Sequence, residues 1–322
     1  MKRWITAFVA VIAAFGLATT AGAQEKKARI SIGTGGTGGV YYPLGGGLAA
    51  LLSKHVPGVE ATAEVTAGSI ANLQLIGGGR SEMGFTMADS AWDAYNGLDK
   101  FSGKKVALRT LCVFYPNRMH VVTVEGKGIS KFSDLKGKRV STGAPASGTE
   151  IMAMRLIEAH GLDPNKDMTR ERLSVAESVN ALKDGKIDAL FWVGGVPTPS
   201  ITDLAATPGV KIKLIDHGDG AENMRKKTGP IYVKNKILAN AYPGQDKDTT
   251  NVDVWNLLVV PADADEQLIY NITKTMFEKK EELVKVHKDA SFLDLANQTT
   301  NASPIPFHPG ALRYFKERGL KF

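Results

Sequence analysis

Ile32-Gly33-Thr34-Gly35-Gly36-Thr37-Gly38-Gly39-Val40-Tyr41-Tyr42-Pro43 is the stretch whose reading decides the fold. An apolar strand end runs into a turn with five glycines among seven residues, and a helix follows, with Pro43 suited to a first helical position. Glycines let the backbone approach a ligand closely, and Thr34 and Thr37 add hydroxyls, so the turn reads as a cradle for a small anion. The same residues also satisfy Gly33-x-Gly35-x-x-Gly38, a dinucleotide fingerprint, so the ligand is either a cofactor or something smaller.

Outward from that turn, the order of elements repeats. A strand (Arg29 to Gly33), the turn, a helix carrying Leu44, Leu48, Leu51 and Leu52, a strand (Val59 to Thr66), a helix from Ser69 and a strand (Met83 to Met87) make one β-α-β-α-β unit. A second begins at Arg139 to Thr142 and turns through Gly143-Ala144-Pro145-Ala146-Ser147-Gly148-Thr149-Glu150. It continues through a helix with Ile151, Met154, Ile157 and Leu162, a strand near Arg172 to Val175, a helix from Glu177 to Lys183 and the strand Ile187 to Val193. Gly35 to Phe85 spans 50 positions and Gly143 to Phe191 spans 48, so the two units match in size as well as order. Alternating strands and helices predict mostly parallel sheets covered on both faces, with ligands at the carboxyl ends of the strands. Two such edges facing each other make a cleft.

The remaining segments connect the units. Leu108 to Val124 is apolar and β-rich around a polar Pro116-Asn117-Arg118, and Val252 to Val260 is a further strand; both read as crossings between lobes. Helices around Glu266 to Lys285 and Leu312 to Arg318 then return to the first lobe. The expected organisation is a signal peptide at 1–23, the first lobe from 24–118, the second from 119–251, and a return to the first over 252–322.

The amino end carries Lys2 and Arg3, an apolar run from Trp4 to Leu17 and Ala21-Gly22-Ala23, the pattern of a cleaved secretory signal; the run falls short of the ~20 apolar residues of a membrane span. Losing it lowers the formal charge from +7 to +5, spread along the chain with no basic block, which argues against nucleic acid and mildly favours an acidic small ligand. The single cysteine, Cys112, lies in an apolar run and reads as a buried strand residue.

Enzyme readings find little support. Glu60 or Glu64 could serve as the acidic partner of the dinucleotide fingerprint, but the second turn at Gly143 to Gly148 fills the same place without that spacing. No Gly-Lys-Ser/Thr follows the glycines. Asp163-Pro164-Asn165-Lys166-Asp167 opens like a calcium loop, yet Met168 and Ser174 stand where the glycine and glutamate belong. The six histidines show no i, i+4 pair, and there is no Gly-x-Ser-x-Gly elbow, so neither a metal nor a cofactor nor a catalytic constellation is expected.

Taken together, the glycine-rich turn through Leu44-Gly45, Thr66-Ala67-Gly68-Ser69-Ile70-Ala71-Asn72-Leu73, Asp134-Leu135-Lys136-Gly137-Lys138, Ser141 to Glu150 and Tyr242-Pro243-Gly244-Gln245 resemble the TAXI family of solute receptors for TRAP transporters, across essentially the whole mature chain. The resemblance implies a type II periplasmic-binding-protein fold, two α/β lobes with a ligand cleft between them. It also implies a periplasmic location, capture of a small carboxylate (glutamate or a related amino or keto acid), and delivery to the membrane subunits of a cation-coupled transporter. Where the family commonly reads Gln-x-Asp, this chain has Met87-Ala88-Asp89. A receptor for signalling, or a secreted enzyme acting on a small acid, are the competing functions.

A desolvated carboxylate needs several donors, which helix-start N–H groups and hydroxyls can provide. The candidate contacts are Thr34, Gly36, Tyr41, Ser69 and Asn72 from the first lobe and Gly143, Ser147, Gly148 and Thr149 from the second, with Asp89 as the partner of a ligand ammonium. Ser69 and Asp89 could instead cap helices, Ser147 with Glu150 fits a capping box, and Tyr41 and Trp192 could be packing aromatics.

Overall fold

A computed structural model describes residues 27–322; the segment expected to be a signal peptide lies outside them. The first lobe opens with β1 (Ala28–Gly33), α1 (Tyr41–His55), β2 (Val59–Glu64), α2 (Ser69–Gly77), β3 (Met83–Met87) and α3 (Ala88–Asn96). β1 pairs in parallel with both β2 and β3. Helix α1 begins two residues before Pro43 and buries Leu44, Leu48, Leu51 and Leu52 on one face, the periodicity that marked it as a helix.

β4 (Leu108–Val124) leaves this lobe and enters the next as one unbroken strand of 17 residues. The second lobe then builds β5 (Arg139–Ser141), α4 (Gly148–Ala159), β6 (Thr169–Glu171), α5 (Val175–Lys183), β7 (Ala189–Gly194), α6 (Pro199–Ala206), β8 (Ile212–Leu214), α7 (Gly220–Thr228) and β9 (Tyr232–Ile237). β10 (Thr249–Pro261) runs back antiparallel to β4, and α8 (Glu266–Glu278), α9 (Lys280–Val284) and α10 (Pro309–Glu317) finish on the first lobe. The sheet order is β2-β1-β3-β10-β4-β7-β5-β6, with β8 on β4 and β9 on β10.

Two sets of parallel strands are therefore joined by antiparallel ones, and the expectation of mostly parallel pairing holds only for the outer strands of each lobe. β10 meets β3 through Asn256 to Val259 in the first lobe, and β9 through Thr249 to Val254 in the second. Asn117 opposes Val254 where the two long strands pass from one lobe to the other. Three local expectations change. The strand sought at Arg172 to Val175 sits earlier, at β6, because Ser174 caps α5: its Oγ accepts from the Glu177 N–H while its own N–H donates to the Glu177 carboxylate. The helix expected over Glu266 to Lys285 breaks at Lys279 into α8 and α9. Helices α6 and α7 and strands β8 and β9 go beyond the elements expected from the sequence.

One apolar core passes under both lobes, from Leu44, Phe85 and Phe114 to Met152, Leu156 and Phe191; a second cluster with Val179, Leu182, Leu190 and Ile201 backs the second lobe. Cys112 is buried within β4. Among the described residues no helix is long and apolar enough to cross a membrane.

His120 on β4 pins the second lobe's outer loops. Its Nδ1 lies 2.9 Å from the Arg118 carbonyl and its Nε2 2.7 Å from the Tyr242 hydroxyl, which also accepts the Thr198 N–H at 3.1 Å. Burial pushes its pKa down to about 3, so the folded protein holds it neutral. The unfolded chain takes a proton near pH 6.5, and the stability that His120 contributes is therefore full above that pH and is lost as pH falls toward 3. The thermal-stability gap between wild type and His120→Gln, which does not titrate, should shrink from pH 7 to pH 4. Parallel pH curves for the two proteins would contradict this.

Candidate binding site

Four helices start around one cavity. It is lined by Val40 and Tyr41 at the start of α1, Gly68 and Ser69 at α2, Ser147 and Gly148 at α4, and Ser174 and Val175 at α5. Gly36, Gly143, Thr149, Met87, Tyr115 and Trp192 are among the other lining residues. Each helix start offers N–H groups that have no partner within the helix, together with the positive end of its dipole. Among the described lining residues none carries a charged side chain. The lining thus offers helix starts and hydroxyls rather than charged side chains, with apolar walls from Val40, Met87, Val175 and Trp192. The cavity holds about 70 Å³, room for roughly five waters at 10–15 Å³ each by this measure, or a small organic acid.

Local sequence explains these positions. The Gly36 to Gly39 turn is closed by a bond from the Gly39 N–H to the Gly36 carbonyl, and a Cβ at Gly36 would meet nothing within 4 Å. Gly143 has φ +100, a conformation that favours glycine, where the chain turns sharply after β5. Ser147 Oγ caps α4 by accepting the Glu150 N–H at 3.1 Å, but the capping box is only half formed: the Glu150 carboxylate reaches Arg172 instead, with Oε2 3.0 Å from Nη2. Ser69 Oγ accepts the Met87 N–H at 3.1 Å rather than capping α2. Thr149 Oγ1 accepts the Val193 N–H at 3.3 Å. Both hydroxyls keep their proton free for a ligand oxygen.

Of the ten candidate residues, Gly36, Tyr41, Ser69, Gly143, Ser147, Gly148 and Thr149 line this cavity, and Thr34, Asn72 and Asp89 stand behind its wall. Thr34 is fully buried; its Oγ1 donates to the Glu64 carbonyl and its own carbonyl accepts from Asn72 Nδ2 at 2.7 Å and Thr66 Oγ1 at 2.9 Å. Asn72 also donates to the Phe85 carbonyl, and its Oδ1 competes with the Thr34 carbonyl for the single Thr66 hydroxyl proton, so both of its N–H groups are spent holding β1, β3 and α2 in place. These two shape the cradle without reaching into it.

Asp89 corrects the assigned ammonium partner. It is fully buried; Oδ1 accepts the Ser90 N–H at 2.7 Å, and Oδ2 accepts the Tyr232 hydroxyl at 2.7 Å with Arg155 Nη1 3.6 Å away. Arg155 also meets Asp93 at 2.6 Å and Asp99 at 3.4 Å. Burial lowers the pKa of this guanidinium, but Tyr232, Asp89 and Asp93 outweigh that and raise it, whereas at Asp93 burial prevails and pushes the carboxyl up to about 6. The three acids belong to the first lobe and Arg155 and Tyr232 to the second, so the charge expected to hold a ligand instead ties the lobes together.

The lobes also meet directly. The Ala71 N–H donates to the Ala146 carbonyl at 3.1 Å and the Ser200 N–H to the Gly38 carbonyl at 3.2 Å. A Cβ on Gly39 would lie 2.8 Å from the Trp192 ring, and one on Gly148 would lie 2.7 Å from Ser69 Oγ. This is the closed arrangement of a two-lobed protein. The sequence reading did not select Tyr115, Trp192, Ser174 or Val175; the last two carry a legible capping signal, Ser174-x-x-Glu177, while Tyr115 reads as one more apolar strand residue beside Pro116.

Residues 32–319 match the NMT1-like family, and the chain belongs to that family. Among solved structures it is similar to a protein from Bordetella bronchiseptica (17% identity over 90% of this chain and 89% of that one, TM-score 0.51). It is also similar to an ancestral arginine-binding protein bound to arginine (15% identity, 82% and 98% covered, TM-score 0.50) and to the periplasmic aliphatic sulphonate binding protein SsuA from Escherichia coli (14% identity, 90% and 82% covered, TM-score 0.46). At these identities the likeness is one of fold, the two-lobed α/β architecture of periplasmic binding proteins.

Gly38 tests whether lobe contact defines the bound form. A Cβ there would collide with Ser200 Oγ and lie 3.2 Å from Ala176 Cβ and 3.3 Å from Val175 Cγ1, all across the cleft. Gly38→Val should leave each lobe folded, raise the radius of gyration in X-ray scattering and lower ligand affinity. A scattering profile and affinity equal to those of wild type would contradict it.

Proposed function

We propose that this chain is a periplasmic solute receptor that captures a small carboxylate and hands it to a membrane transporter. The observation that carries the proposal is the convergence of four helix starts on a closed cavity with no charged side chain among its described lining residues. Such a cavity favours one negative charge, held by backbone N–H groups and the hydroxyls of Ser69 and Thr149, and it lets the lobes close without burying a competing cation.

Fold likeness agrees with a receptor, since one neighbour of the same fold is an arginine-binding protein. The motif resemblance to TAXI receptors assigns delivery to a cation-coupled TRAP transporter, with export of the chain by its amino-terminal signal. A glutamate-like ammonium finds no acidic partner among the described lining residues, so the keto-acid side of the expected ligand range is preferred.

A thermal-shift screen of the mature chain against monocarboxylates, dicarboxylates and amino acids is the test. A ligand at 100-fold over its dissociation constant should stabilise the protein by about 2.7 kcal/mol. Stabilisation by neutral or cationic solutes only would contradict the proposal.

A further inference from the structure

The contact between the lobes sorts its groups by side, with carboxylates on one and donors on the other. On the first lobe, α3 carries Asp89 and Asp93 one helical turn apart, and Asp99 follows just beyond its end. On the second, Arg155 of α4 donates from Nη2 to Asp93 at 2.6 Å and to Asp99 at 3.4 Å, and from Nη1 to the Tyr232 hydroxyl at 3.1 Å. That hydroxyl donates in turn to Asp89 Oδ2 at 2.7 Å. Asp89 and Tyr232 are fully buried and Asp93 nearly so. Among the described residues Arg155 is the sole cation within salt-bridge distance of any of the three acids.

Separating the lobes undoes this arrangement at once, since every bond in it crosses between them except the one from Arg155 to Tyr232. The acids left behind include a pair at i, i+4 spacing, where like charges repel. A buried ion pair holds its partners together when the remaining lone pairs and protons are also satisfied, because desolvation opposes the attraction. At Asp89 they are: Oδ1 takes the Ser90 N–H at 2.7 Å and the Ser90 hydroxyl at 3.3 Å. All of these bonds join protein groups to one another, and none of the five residues lines the ligand cavity. Arg155 and Asp99 face a separate polar pocket of about 400 Å³ instead.

Resting on the receptor reading above, we infer that Arg155 is the lock of the closed form: it holds the lobes together ahead of any solute, and so sets the rates at which a solute enters and leaves without touching it. Entry and exit both need the lobes apart, so a lock that favours the closed form slows both steps. Removing the guanidinium alone leaves Asp93 buried with no side-chain partner among the described residues and Asp89 without its nearby cation, which penalises closure more than the loss of an attraction would. Neutralising both acids as well removes that penalty. These two kinds of variant therefore separate the matching of charge across the cleft from the packing of one long side chain.

X-ray scattering of the unliganded mature chain, with stopped-flow tryptophan fluorescence on adding 2-oxobutyrate, tests this on wild type, Arg155→Met, and Arg155→Met combined with Asp89→Asn and Asp93→Asn. Arg155→Met should have the larger radius of gyration. It should take up 2-oxobutyrate faster than wild type and release it at least about tenfold faster, with a net loss of affinity. Faster uptake is the signature of a lock, since damage to the ligand site would slow association or leave it unchanged. The combined variant should return toward wild type in both radius and release rate. An unchanged radius in Arg155→Met, slower uptake, or no return in the combined variant overturns the inference while leaving the receptor reading in place. The scattering comparison needs no ligand, so it decides on the lock even if wild type binds no 2-oxobutyrate, a result that counts against the keto-acid reading alone.

Discussion

The pairing of β4 with β10 is the constraint on which the rest of this structure depends. Both strands run through the two lobes, and their antiparallel ladder continues past the crossing point, with Val260 opposite Arg109 at one end and Asp253 opposite Arg118 toward the other. Two hydrogen-bonded strands can twist about their crossing point more readily than they can slide, because sliding by one residue would turn every side chain to the wrong face. The register shifts in the ladder fall between Trp255 and Leu257 and between Leu258 and Val259, the first of them at Asn256.

From that frame follows the electrostatics of the site. Each lobe ends its parallel strands in turns that start helices, and closing the lobes brings four of those starts to one small volume. Partial charges held by backbone need no counter-ion and no side-chain ordering, so an anion entering the closed cavity meets donors already in place. Neutralising charges stand outside the cavity, within the contact between the lobes. Arg155 joins Asp89, Asp93 and Asp99 across the lobes, and on another part of the contact the Asp289 carboxylate of the first lobe accepts the Val196 N–H of the second at 2.8 Å. Closure and ligand charge are thus handled by separate groups.

The repeated β-α-β-α-β order was legible because its strands are apolar runs and its glycine turns are local features, although α1, α2 and α4 are only weakly amphipathic. The 17 residues of β4 were legible as an apolar run, and the lobe exchange could be inferred from the polar Pro116-Asn117-Arg118 within it. The role of Asp89 was not legible, since its partners Arg155 and Tyr232 lie 66 and 143 positions away and no local pattern announces an ion pair across a cleft. Thr34 and Asn72 were misjudged for a related reason: polar residues at a turn look like ligand contacts until the backbone carbonyls they satisfy are known. Tyr115 was hidden in the opposite way, as one more aromatic in an apolar strand, and only the folded structure brings it to the cavity wall.

The central claim is that backbone dipoles, with no charged side chain at the cavity, select one negative charge. Isothermal titration of the mature chain with its tightest-binding small acid and with the methyl ester of that acid isolates this charge from the rest of the ligand. The account predicts that the acid binds and that the ester binds roughly a hundredfold more weakly or not at all. An ester that binds as tightly as the acid would contradict it.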